Sequence, residues 1–232
     1  PMLAAMLSDK NEALMESIMR ARPHYADAVK SGVFFAPRVG KISVSLSNRE
    51  EAFMSTMLNR LPGVKASNRA YVTGLNELRS RVWEDTMTMW EKAWKNGGPK
   101  ITEQDKTDMA QFINWATGRG TLPKAIGREG ALLNSMFFSP KLIMSRLELP
   151  TAMLPGVTKS RLARREAQKT LLTATGIGAG LLTAAHLSGA GHVEIDPRSA
   201  DFGKLKVVDQ RLDIWTGYTQ YIRFMAQVAT WQ

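Results

Sequence analysis

Cysteine is missing from all 232 residues, which excludes a disulfide framework and any thiolate metal site and fits synthesis in a reducing compartment. Histidine is scarce as well. His24, His186 and His192 are the only three, and none stands in an HExxH sequence, beside a carboxylate pair or near a nucleophile pattern. No catalytic residue is therefore assigned, and no metal or other cofactor is expected. A secretory leader is lacking too: PMLAAMLSDKNEALMESIMRARP has no basic start followed by an unbroken apolar stretch and a small-residue cleavage site, so export by that route is not expected. The most informative gap is one of charge. Across residues 170–193, TLLTATGIGAGLLTAAHLSGAGHV, there is no charged side chain, and no other segment of the chain resembles this one.

What borders that gap is polarised. Lys159, Arg161, Arg164, Arg165 and Lys169 precede it, and Glu194 and Asp196 follow it. The basic group suits the phosphates of lipid headgroups or of nucleic acid, with a solvated helix face as the plainer alternative. A helix that crosses about 30 Å of hydrocarbon needs roughly 20 apolar residues. Residues 171–187 fall a little short and are diluted by threonine and glycine, so a buried core helix is expected ahead of a stable single-pass anchor. The functional alternative is conditional, with the helix packed on protein in one state and inserted in lipid in another. Leu171, Leu172, Gly176, Gly180, Leu181 and Leu182 are the residues expected to meet membrane or another helix, because the Gly176 and Gly180 GxxxG pair permits close backbone approach in either medium. A formal charge of +10 and a pI near 10.0 ease contact with nucleic acid or anionic lipid without specifying a site.

A chain of this length can bury a real core as one large domain or two small ones. The expected fold is mainly α, a helical domain with a small β-hairpin element near the C-terminus. Its expected parts are an N-terminal helical arm and short extended connector (1–46), a helical core with a tryptophan-rich long helix (47–156), and a basic and apolar helix, β-hairpin and terminal helix (157–232). Met2, Leu3, Met6, Leu7, Leu14, Ile18 and Met19 recur at helical spacing and predict a helix or helix pair that Gly32 and Pro37 break. Ile42, Val44 and Leu46 alternate as in a short strand or extended connector. Ser47 with Glu50 then forms a capping box for a helix that Pro62 and Gly63 stop.

The longest helix is expected over 67–95, ended by Asn96, Gly97, Gly98 and Pro99. Tyr71, Leu75, Leu78, Val82 and Met89 form one apolar stripe on it. Trp83, Met87, Trp90 and Trp94 form a second and are the expected assembly surface, sandwiched between helices or subunits, with core packing the plainer explanation. Thr102 and Asp105 cap the next helix, which Thr117 to Gly120 end. Helices over 128–138 and 140–149 follow, and Pro150 and Pro155 separate them from a helix over 158–187. Beyond Gly191 the period changes to two, predicting strands over 192–196, 205–208 and 211–215 with a turn at Asp209 and Gln210. A final amphipathic helix from about Thr216 is expected to place Tyr218, Ile222, Met225 and Val228 on one face.

Other groupings carry less. Gly118, Arg119 and Gly120 lack the lysine and preceding strand of a nucleotide loop and read as a turn, and a basic helix rather than a strand precedes Gly176, Gly178 and Gly180, so a dinucleotide loop is excluded. Glu84 with Asp85, and Asp105 with Asp108, read as solvated carboxylates. His186 and His192 flank a glycine-rich turn where imidazole titration would make lipid insertion pH dependent, although structural histidines are the plainer expectation. The chain opens on Pro1 and closes on VATWQ without a helix stop, which predicts a piece of a longer polypeptide.

Four segments, PGVKASNRAY (62–71), INWATGRG (113–120), LLNSMFFSPKLIMSRL (132–147), and DPRSADFGKL with LDIW (196–205, 212–215), resemble in this order the helical region of the large polyvalent proteins of tailed phages and prophages. The resemblance spans roughly residues 47–231, brings no catalytic residues and leaves 1–46 without a counterpart. It implies a non-enzymatic virion structural protein of the internal or ejection type, which assembles through its helices and assists genome delivery across the host envelope. The implied partners are copies of itself, other virion proteins, DNA and the host inner membrane, with no small-molecule substrate. The implied location is the virion and, after infection, the host cell envelope. Short local helices and the absence of cysteine suit a chain that is extruded partly unfolded and then reassembles. On the residues alone, a soluble basic nucleic-acid-binding module and a structural connector in a longer multi-module protein are the alternatives.

Overall fold

The structure is a computed structural model that describes residues 8–36, 62–121, 140–215 and 218–230. The strand expected around Val44, the helix capped by Ser47 and Glu50, and the helix over 128–138 lie outside these residues. Among the described residues the chain is mainly helical, with one small antiparallel sheet near the C-terminus. The elements run α1 (Asp9–Arg20), α2 (Tyr25–Ser31), α3 (Pro62–Lys95), α4 (Glu103–Ala116), α5 (Pro140–Thr151), α6 (Arg161–Leu187), β1 (His192–Val193), β2 (Leu205–Val207), β3 (Gln210–Leu212) and α7 (Thr219–Thr230). They form two compact units, Pro1–Ala167 and Gln168–Gln232, whose boundary falls inside α6.

In the first unit, α1 is started by Ser8, whose hydroxyl accepts from the Asn11 amide at 3.1 Å. Gly32 closes α2 in the left-handed region at φ 98°, where glycine carries no Cβ penalty. α1 packs on α3, α2 on α3 and α4, and α4 on α3 and α5. Pro62 and Gly63, expected to break a helix, instead sit in the first turn of α3, where a proline removes no intrahelical hydrogen bond. α5 likewise runs past Leu149 and contains Pro150 in its last turn.

The core is built from the second stripe of α3 and the inner face of α4. Trp83, Met87 and Trp90 are buried against the layer that holds Met109, Phe112, Ile113 and Trp115. These three α3 residues are therefore interior side chains of their own unit, as the plainer core-packing explanation has it, and do not form an exposed assembly surface. Trp94, 47% exposed, is the only one of the four at the surface. The first stripe of α3 is turned outward at Tyr71, Leu78 and Met89.

Two carboxamides hold the extended segment after α2. Asn76 accepts from the Ala36 amide at 2.9 Å and donates to the Ala36 carbonyl at 2.7 Å, and Asn114 does the same for the Phe34 amide and the Gly32 carbonyl at 2.9 and 2.8 Å. Each side chain thus replaces a neighbouring strand for backbone groups that burial would otherwise leave unpaired. The Arg119 guanidinium stacks on Phe34 at 3.4 Å, and the next residue, Gly120, lies so close to Met144 and Ser145 of α5 that a side chain there would clash with backbone. The Gly118 to Gly120 segment is the expected turn, and close packing is its use.

In the second unit the strands pair in the order β1-β2-β3, with His192 opposite Lys206 and Leu205 opposite Leu212. The strands are shorter than expected, and the turn is formed by Val208 and Asp209, since Val207 already pairs with Gln210. Trp215 organises the unit: its indole N–H donates to the Gly203 carbonyl at 3.1 Å, and a Cβ at Gly178 of α6 would lie 3.3 Å from its ring. Asp213 holds the approach to α7, accepting from the Trp215 amide at 2.9 Å and the Thr219 hydroxyl at 2.6 Å.

Val208 has φ 54°, a left-handed conformation that a β-branched residue rarely adopts. Relieving it should recover about 1–2 kcal/mol, offset by the roughly 0.5–1 kcal/mol that glycine's extra unfolded-state freedom costs. Val208→Gly is expected to slow amide hydrogen exchange at Val207 and Gln210. Faster exchange in the variant would mean that the turn is unstrained.

Candidate functional site

The base of α6 is fixed by carboxylates that the sequence reading placed in solvent. Asp105 and Asp108 are each 7% exposed, and both reach Ser160: Asp108 accepts from its amide and Asp105 from its hydroxyl, each at 2.6 Å. The Ser160 hydroxyl in turn accepts from the Ala163 amide at 2.9 Å, so one side chain caps α6 while linked to α4. Ala163 and Ala167 are completely buried, and their small size lets the first two turns lie against the first unit. Asp105 also completes the expected capping box with Thr102. The spacing of Asp105 and Asp108 on one helix face, with a serine ahead of a basic helix, was the available signal, but nothing local in the sequence joins residues that far apart.

Past Ala167 the character of α6 reverses. Over residues 171–187 only Leu171, Gly178, Leu182 and Ala185 are covered, at i, i+7, i+11 and i+14, which traces one narrow stripe down the helix. Leu172, Ile177 and Leu181 are at least 60% exposed and Leu187 is 79% exposed. Gly176 and Gly180 lie on the side opposite the covered stripe, with nothing within 4 Å of where a Cβ would be. The expected buried core helix is not found. By length and composition α6 can cross a membrane, yet only 6% of its most apolar stretch is buried. The physical reason is supply: the described residues of the second unit offer three short strands and one 12-residue helix, too little to surround a 27-residue one.

The basic group at the base is largely unpaired. Lys159, Arg161, Arg165 and Lys169 are exposed and form no ion pair among the described residues. Arg164 is half-buried and donates to the Thr158 carbonyl at 2.9 Å, which makes it a structural member of the group. In the second unit Arg198 pairs with Asp196, and Lys204 and Arg211 pair with Asp201. His186 and His192 face each other across the glycine-rich turn with ring centroids 6.1 Å apart, both exposed, so they are not the satisfied structural histidines expected.

Glu84 is likewise no simple surface carboxylate. It accepts from His24 Nδ1 at 2.9 Å and from the His24 amide at 3.2 Å, while Glu91 accepts from His24 Nε2 at 3.0 Å. A ring whose two nitrogens both meet carboxylates must donate from both, as an imidazolium. The cluster ties the start of α2 to two positions of α3 that lie about two turns apart. No group of three histidine, aspartate or glutamate side chains suited to a metal ion occurs among the described residues. Partial burial alone would lower the His24 pKa, and the hydrogen bonds it donates to Glu84 and Glu91 outweigh that, so the group is raised above its ordinary value. The stabilisation is therefore full below the unfolded value of about 6.5 and is lost as pH rises through the higher folded value. The protection of amides at the start of α2, taken as the exchange rate relative to the intrinsic rate at each pH, should fall over that rise in the native chain and lose this pH dependence in His24→Gln. The same pH dependence persisting in the variant would place its origin elsewhere.

Compared with protein-family models, with curated proteins and with solved structures, the chain matches none.

Proposed function

We propose that this chain is a non-enzymatic virion structural protein of the internal or ejection type, which engages an anionic lipid bilayer through α6 and so assists genome passage across the host envelope. The observation that carries this reading is the uncovered apolar length of α6 directly behind a cationic base. Water is a poor environment for those side chains: covering a leucine or isoleucine stabilises by about 1.5–3 kcal/mol. Lys159, Arg161, Arg165 and Lys169 supply the complementary attraction, about 1 kcal/mol for each cation near an anionic surface. Residues 170–187 extend about 27 Å as a helix, close to the hydrocarbon thickness and adequate with modest thinning of the bilayer. The open side at Gly176 and Gly180 is suited to a second copy of α6 once both are in lipid. The virion setting and its partners rest on the four phage-like segments.

The same four cations favour a second reading, a soluble module that binds nucleic acid through phosphates. Flotation of the full chain with vesicles of mixed phosphatidylcholine and phosphatidylglycerol separates the two. The chain should rise with the vesicles, and Ile177→Asp and Leu181→Asp, both at exposed positions, should each weaken this more than tenfold, given a cost of about 2.5–3.5 kcal/mol for a buried acid. A chain that stays at the bottom at neutral and acidic pH, while binding DNA with a steep salt dependence, would replace the lipid reading by the nucleic-acid one.

A further inference from the structure

α7 is amphipathic as its sequence predicts, but it is mounted the opposite way round. Three of its polar side chains face its own unit: Gln227 donates to the Pro197 carbonyl at 2.9 Å, Arg223 to the Ser199 carbonyl at 3.4 Å, and Thr219, which is buried, to Asp213. Phe224, Met225 and Val228 point outward at 64, 70 and 59% exposure, with Tyr221 beside them one turn earlier. Ile222 and Tyr218, expected on that apolar face, are instead partly covered. A helix that needed only to fold in water would gain by presenting the other side.

We infer that α7 is a second lipid-contact helix, lying flat in the headgroup region of an anionic bilayer with Phe224, Met225 and Val228 in the upper acyl chains. The inference rests on the lipid reading of α6 and adds a separate element to it. Three observations select a bilayer surface as the occupant. With 12 residues α7 is about 18 Å long, too short to span hydrocarbon but suited to its plane. The exposed set combines an aromatic ring with aliphatic side chains, and the partly covered Tyr218 and Tyr221 adjoin it at 6.3 Å between ring centroids, the residue types that settle at a membrane interface. From residue 214 to the end the chain has no acidic residue and one cation, Arg223, so nothing on this helix is repelled by anionic headgroups. Charge thus permits the approach, and apolar contact supplies the binding.

The absence of native cysteine makes the test direct. Single-cysteine variants Phe224→Cys, Val228→Cys, Thr230→Cys and Ile177→Cys of the full chain are labelled with an environment-sensitive fluorophore and mixed with phosphatidylcholine–phosphatidylglycerol vesicles. Labels at 224 and 228 should shift to the blue and be quenched more by a spin label near the headgroups than by one near the bilayer centre. Thr230, on the other side of α7, should not shift. A shift at 177 with none at 224 or 228 overturns the inference while leaving the α6 reading intact, and silence at all positions overturns both. Shifts at 224 and 228 that grow with protein concentration before lipid is added would assign the face to a second copy, and would overturn the inference as well.

Discussion

Everything distinctive about this chain depends on how α6 is held at one end. A helix start buries amides that have no partner within the helix, and here Ser160 satisfies one of them while its own amide and hydroxyl are taken by Asp108 and Asp105. A buried carboxylate without such donors would be costly, and a helix start without them would fray. The two requirements cancel at a single serine. The base of α6 is secured in the first unit by this cap and by two buried alanines, and in the turns beyond it only a narrow stripe through Gly178 and Leu182 is covered, which leaves most side chains there uncommitted.

The second unit applies the same logic to its surface. Trp215 gives it a small centre, pinned to Gly203 and pressed on Gly178, and beyond that centre its helices turn large apolar side chains to the outside. In such a small unit backbone pairing and polar side chains that bond loop carbonyls, as Gln227 does at Pro197, supplement a hydrophobic core that is itself small. Exposed leucine, isoleucine and phenylalanine in that number are a solubility hazard unless something covers them. The lipid surface proposed above would do so without shape complementarity, which suits faces that are apolar but not sculpted.

The helical class, the capping box at Thr102 and the C-terminal hairpin were legible from the sequence because each is local: a periodicity, an oxygen three residues from an amide, two short alternating runs. The shift of the turn from Asp209 to Val208 was not, since no turn chemistry favours a left-handed valine. Nor were the roles of Asp105, Asp108 and Glu84, whose partners lie more than 50 residues away. The charge-free stretch of α6 announced itself, but whether it is buried depends on how much protein remains to wrap it, a property of the whole second unit. The tryptophans of α3 illustrate the converse, for composition marked them as adhesive and packing then consumed three of the four internally.

The central claim is that the apolar side of α6 is uncovered by the chain itself and becomes covered by lipid. It is tested most directly by the alkylation rate of a single cysteine placed at Leu181 in the otherwise cysteine-free chain. The account predicts a rate close to that of an unstructured thiol in the monomeric protein, falling sharply when anionic vesicles are added. A slow rate in the monomer without lipid, or a fast one unchanged by vesicles, would contradict it.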